Sequence, residues 1–242
     1  MRRIFFFLVL LCIYLGVRSE TFVVAVGINN YADPRVENLT KSETDAKAIA
    51  EFYKHSTDNV ITITGKYATK AKILEALKSQ FRRAKKGDRI IFFFSGHGYK
   101  GGFCPYDVHS PDTGLPYSDV IKIMKSSQAT QKLIFADACN SGAIRVDEST
   151  KGPKVGNILF FLSSRGNENS IERSFSANGI FTKHLLRALR GGADVNNDRI
   201  ITARELFDFV SSKTKEESKD RQHPVMWGNF PDDMIIVRYK KN

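Results

Sequence analysis

Short blocks of consecutive apolar residues, often β-branched or aromatic, alternate along the chain with longer stretches in which apolar residues return every three or four positions. The first pattern marks strands buried on both faces, and the second marks amphipathic helices. Residues 22–26 run apolar into Gly27 and predict a strand. Over 38–53, Ala46, Ile49, Ala50 and Tyr53 share one helical face, and Ser42 with Asp45 has the spacing of a capping box. A second strand is expected at 60–64. Thr69 then caps a helix whose stripe is Ile73, Leu74, Leu77 and Phe81. The block 89–94 is apolar on both faces and reads as a central strand, and 131–136 and 157–162 read alike. A polar segment with Pro111, Gly114 and Pro116 leads into a short helix at 119–124. Helices at 180–189 and 203–213 precede a last strand at 234–238. Strands alternating with helices in this way predict an α/β fold with a mostly parallel sheet covered on both faces.

The first 19 residues stand apart from that rhythm. Arg2 and Arg3 precede an apolar run from Ile4 to Gly16, and Val17-Arg18-Ser19 follows, which is the build of a cleaved export signal. The expected organisation is therefore a signal over 1–19 and one catalytic-size domain over 20–242, placed in a periplasmic or extracellular space. An uncleaved anchor is disfavoured because about 13 apolar residues are too few to span a bilayer. Cys12 is not set in a lipid-attachment context either, since Leu10 and Leu11 stand where small residues are required. No stable membrane anchor is expected after cleavage. Cys104 and Cys139 would then remain, too few for a disulfide scaffold, so a packed core must carry the stability. Without Arg2, Arg3 and Arg18 the charge is 34 basic against 26 acidic residues, or +8. The basic residues form no patch interleaved with aromatics, and Arg82, Arg83, Lys85 and Lys86 simply close a helix, so no nucleic-acid partner is expected. The number of subunits is left open.

Two predicted strands share one design at their ends. Ile90-Ile91-Phe92-Phe93-Phe94 runs into Ser95-Gly96-His97-Gly98, and Leu133-Ile134-Phe135-Ala136 runs into Asp137-Ala138-Cys139-Asn140-Ser141-Gly142. Parallel strands deliver both segments to the same carboxyl edge, where open α/β sheets carry their sites. A thiol is a weak nucleophile until a base takes its proton, and histidine is the side chain suited to do so near neutral pH.

These two segments resemble the signatures of the caspase and hemoglobinase clan, nearest to the bacterial metacaspases or orthocaspases. The similarity spans about residues 21–240 and includes Gly27-Ile28-Asn29-Asn30-Tyr31, Thr44-Asp45-Ala46 and Gly179-Ile180-Phe181-Thr182. It implies a cysteine endopeptidase in which Cys139 is the nucleophile, His97 the general base and acid, and the N–H groups of Gly98 and Cys139 the oxyanion hole. No third catalytic residue is implied. The resemblance also implies an acidic S1 pocket of Asp45, Ser95 and Asp137, with Ser42 beside them, and hence protein or peptide substrates with Arg or Lys at P1. Two alternatives stay open: a caspase-like interaction module without activity, and an Asp-specific caspase. Asp137, two residues before Cys139, opposes the second, because Asp-specific enzymes place arginine in that pocket. No cofactor is required for this chemistry. Residues 194–205 nevertheless offer Asp194, Asn196, Asp198, Ile200, Thr202 and Glu205 at the spacing of a calcium loop, with Arg199 at its glycine position. The competing reading is a turn in which Thr202 and Glu205 form a capping box. The segment 143–156 carries Arg145, Lys151 and Lys154 and is expected to be open to self-cleavage.

Overall fold

The computed structural model describes residues 19–99, 101–138, 157–164 and 178–239. Six strands form the central sheet among these residues: β1 (Thr21–Gly27), β2 (Val60–Thr64), β3 (Arg89–Gly96), β7 (Gln131–Ala138), β8 (Ile158–Leu162) and β10 (Val225–Gly228). Their order is β10-β8-β7-β3-β1-β2, with β3 inside the sheet as its two-sided apolar block predicts. All pairings are parallel except that of β10 with β8. Alternate side chains of each strand serve different layers. Phe92, Phe94, Ile134 and Phe160 face α2 (Lys70–Phe81) and α3 (Tyr117–Ser126), packing with Ile73, Leu77, Phe81 and Met124. Ile91, Phe93, Phe135 and Phe161 face α1 (Ser42–Lys54), α4 (Ile180–Arg187) and α5 (Ala203–Ser218), packing with Ile49, Phe181, Leu185 and Leu206. This is the α/β architecture that the sequence pattern predicts and the resemblance implies, a mostly parallel sheet with helices on both faces.

Several sequence expectations are corrected by tertiary contacts. Helix α1 begins at Ser42 and not at 38, its cap Lys41 donates or accepts no side-chain capping bond, and Asp45 does not form a box with Ser42. The carboxylate is engaged elsewhere, as described below. The last strand, β11 (Ile235–Arg238), does not join the central sheet but pairs antiparallel with β9 (Ile200–Thr202). Arg89 holds it there, donating to the carbonyls of Ile235 and Ile236 at 2.7 and 2.6 Å. The short strands β4 (Gly98–Tyr99), β5 (Gly102–Phe103) and β6 (Leu115–Pro116), which pair antiparallel immediately after His97, are too brief for a periodicity signal. Among the described residues no helix is long and apolar enough to cross a membrane. The expected export segment, apart from Ser19, lies outside the described residues, as does 143–156.

Candidate active site

Strand register builds the site. Across β1, β3 and β7, Gly27 is paired with Ser95 and Ser95 with Asp137, and one step further Gly96 is paired with Ala138. The residues that precede His97 and Cys139 are thus neighbours at one carboxyl edge. Cys139 itself lies outside the described residues. The peptide before it is held by a buried serine pair that follows β8: Ala138 N–H donates to Ser163 Oγ at 3.2 Å, and Ser164 Oγ donates to the Ala138 carbonyl at 3.5 Å. The sequence reading missed both serines, although two small hydroxyl residues closing a buried strand beside the cysteine strand are a usable signal.

His97 is half-buried and its ring leans on Tyr31, centroids 5.2 Å apart and planes tilted by 36°. Its backbone N–H donates to Tyr31 Oη at 2.7 Å, which fixes the peptide. Nε2 lies 2.7 Å from the Glu37 carbonyl. A carbonyl only accepts, so Nε2 carries the hydrogen and Nδ1 is the nitrogen with a lone pair in the neutral ring. The orienting partner that no motif supplied is therefore a main-chain oxygen on the loop after β1, and main-chain oxygens have no residue signature. Gly98 follows in β4, paired with Phe103.

One step back from this carboxyl edge lies a buried cluster of the residues expected to line an acidic pocket. Asp45 reaches it from the first turn of α1, Ser95 from β3 and Asp137 from β7. Ser95 Oγ donates to Asp45 Oδ2 at 2.9 Å, and Asn178 Nδ2 and Gly179 N–H donate to Oδ1 at 2.8 and 3.1 Å. Asp137 Oδ2 accepts from Thr182 through its N–H at 3.2 Å and its hydroxyl at 2.8 Å. Both carboxylates are buried, at 1% and 7% exposure. Burial first, and then the neighbouring Asp137 charge, pushes the Asp45 carboxyl up to about 7, against the hydrogen bonds from Asn178, Ser95 and Gly179. Ser42 is buried at the start of α1 but makes no hydrogen bond with either carboxylate. Its carbonyl packs against Gly27, where a Cβ would collide with it and with Ala46.

The loop at 194–205 is closed on itself. Asp194 accepts from the N–H groups of Asp198 and Arg199, Asp198 accepts from Ile200, and Arg199 takes the positive φ of 67° that its glycine-like position demands. Thr202 and Glu205 form the reciprocal capping box of α5. Asn196 Oδ1 likewise accepts from Asp198 N–H, so the side-chain oxygens of Asp194, Asn196 and Asp198 hold the main chain of the turn. Among the described residues no group of three His, Cys, Asp or Glu side chains is gathered as a metal site.

Comparison with known proteins places this geometry in context. Residues 21–235 match the family model described as the caspase domain. A protein of a Desulfuromonadales bacterium named "Probable protease" is 25% identical over 197 residues, which are 71% of this chain and 22% of that protein. The chain thus spans under a quarter of that relative's length. The crystal structure of protein GSU0716 from Geobacter sulfurreducens superposes with a TM-score of 0.68 at 22% identity, covering 88% of this chain and 95% of that one. At that identity the likeness speaks for the fold.

Proposed function

This chain belongs to the caspase-domain family of proteases, and from that premise we propose that it is an exported cysteine endopeptidase cutting after Arg or Lys through His97 and Cys139. The observation that carries the reading is the pairing of Gly96 with Ala138, directly before the base and the thiol, with a buried carboxylate pair one residue behind. In this reading Nδ1 of His97 takes the thiol proton while the Glu37 carbonyl keeps the ring oriented. The Cys139 sulfur attacks the scissile carbonyl, and the N–H groups of Gly98 and Cys139 receive the negative oxygen. His97 returns the proton to the leaving amine, and water then hydrolyses the thioester. Asp45 and Asp137 supply negative charge where the P1 side chain ends, which favours a guanidinium or ammonium and opposes a substrate carboxylate. The reaction needs no cofactor. Export rests on the basic start and apolar run of residues 2–16.

The test is a panel of fluorogenic peptides differing only at P1 (Arg, Lys, Asp, Leu), assayed with calcium and with chelator. Wild type is expected to cut after Arg or Lys at least about a hundredfold faster than after Asp or Leu. Cys139→Ala and His97→Ala are expected to lose about a thousandfold or more while remaining folded by circular dichroism. Activity of Cys139→Ala within about tenfold of wild type would remove the assignment of the nucleophile, and preferential cutting after Asp would remove that of the pocket.

A further inference from the structure

Helix α4 opens on Gly179, a residue with no side chain to cap it, and carries no acidic residue in its first turn. The missing acceptor comes from another element. Asp137, at the end of β7, places Oδ2 where Thr182 donates both its N–H and its hydroxyl, so that a strand carboxylate caps the helix from outside. A side chain at 179 could not do this, because its Cβ would lie 2.8 Å from Asp137 Oδ2 and 3.2 Å from Asp45 Oδ2. A helical threonine hydroxyl commonly turns back to the carbonyl one turn earlier. Here it is fully buried and its proton is committed to the carboxylate. Two donors from one residue on one oxygen fix the direction of the carboxylate.

We propose that Thr182 is a positioning residue for P1 recognition, acting through Asp137. This rests on the reading of Asp45 and Asp137 as the acidic pocket. Thr182→Val keeps the N–H and the volume but removes the hydroxyl donor, and Thr182→Ser restores it. For an Arg peptide, Thr182→Val is expected to raise KM roughly tenfold with kcat within about twofold, whereas Thr182→Ser stays near wild type. The rate of Cys139 alkylation by iodoacetamide, read from the peptide mass, is the second measurement, because that reagent does not enter the pocket. It is expected to be unchanged in Thr182→Val. An unchanged KM, or a joint fall of kcat, alkylation rate and melting temperature that Ser does not rescue, overturns the proposal. Asp137→Asn on the same peptide separates the premises. If it raises KM steeply while Thr182→Val does nothing, only the role of Thr182 falls. If Asp137→Asn leaves KM and P1 preference intact, the pocket reading falls and takes the proposal with it.

Discussion

Asp45 concentrates the residue-scale chemistry, because its carboxyl is held up to about 7 by burial and by the Asp137 charge, against three hydrogen bonds. The unfolded chain releases that proton near 3.8 and the folded chain near 7, so between those values the folded state binds more protons. Its contribution to stability is thus fully present at low pH and is lost as pH rises through that interval. A cation in the pocket favours the ionised pair, so its binding must follow the opposite course. Benzamidine is expected to bind more tightly as pH rises from about 5.5 to 7.5, approaching tenfold per unit on the acid side. The same rise in pH should lower the urea midpoint of the empty protein. In Asp45→Asn both dependences are expected to flatten. Inhibition constants and urea midpoints across that range check the prediction, and a benzamidine affinity independent of pH in wild type would contradict it. The same carboxylate shows the limit of local reading: Ser42 and Asp45 have the spacing of a capping box, yet Asp45 is drawn to Ser95, fifty residues away.

At the scale of elements, the approach of α1 to β1 decides where Asp45 stands. Gly27 ends β1, and the Ser42 carbonyl and Ala46 Cβ occupy the space a side chain there would need. The contact sets the start of α1 at Ser42 and brings its first turn over Ser95 and Asp137. Gly27→Ala must therefore push the helix outward. The expected result is a loss of about 1–3 kcal/mol in urea denaturation, the usual cost of overpacking. A fall in kcat/KM for Arg peptides should accompany it and exceed the fall for Leu peptides. Equal falls for both would mean that the shift does not reach the pocket. The helix stripes and strand blocks were legible because each is a local periodicity. The short strands β4, β5, β6, β9 and β10 were not, because strands of two to four residues are formed by their partners and leave no period of their own.

For the whole molecule, the question is how an active edge is governed. In the proposed reading, Arg145, Lys151 and Lys154 are P1-type residues on the chain that follows the nucleophile. We expect self-cleavage there to follow from activity without being its switch, since the segment 143–156 is only about 14 residues long and leaves little length to restrain a substrate groove. Changing all three to Gln is expected to give a protein that stays in one piece on a denaturing gel and hydrolyses an Arg peptide at the wild-type rate. A folded but inactive variant would make the cut the activating step. The sequence by itself determined the five strands of the parallel sheet with their apolar blocks, and the two glycine-flanked signatures. Those are properties of short runs, readable from side-chain period and from residue types adjacent in the chain. Only the tertiary structure decided that the Glu37 carbonyl orients His97, that Thr182 and Asn178 hold the carboxylates, and that the final strand leaves the central sheet for β9. Each of these depends on main-chain atoms or on partners tens of residues distant, and the sequence pattern carries no record of which distant groups a folded chain will bring within hydrogen-bonding reach.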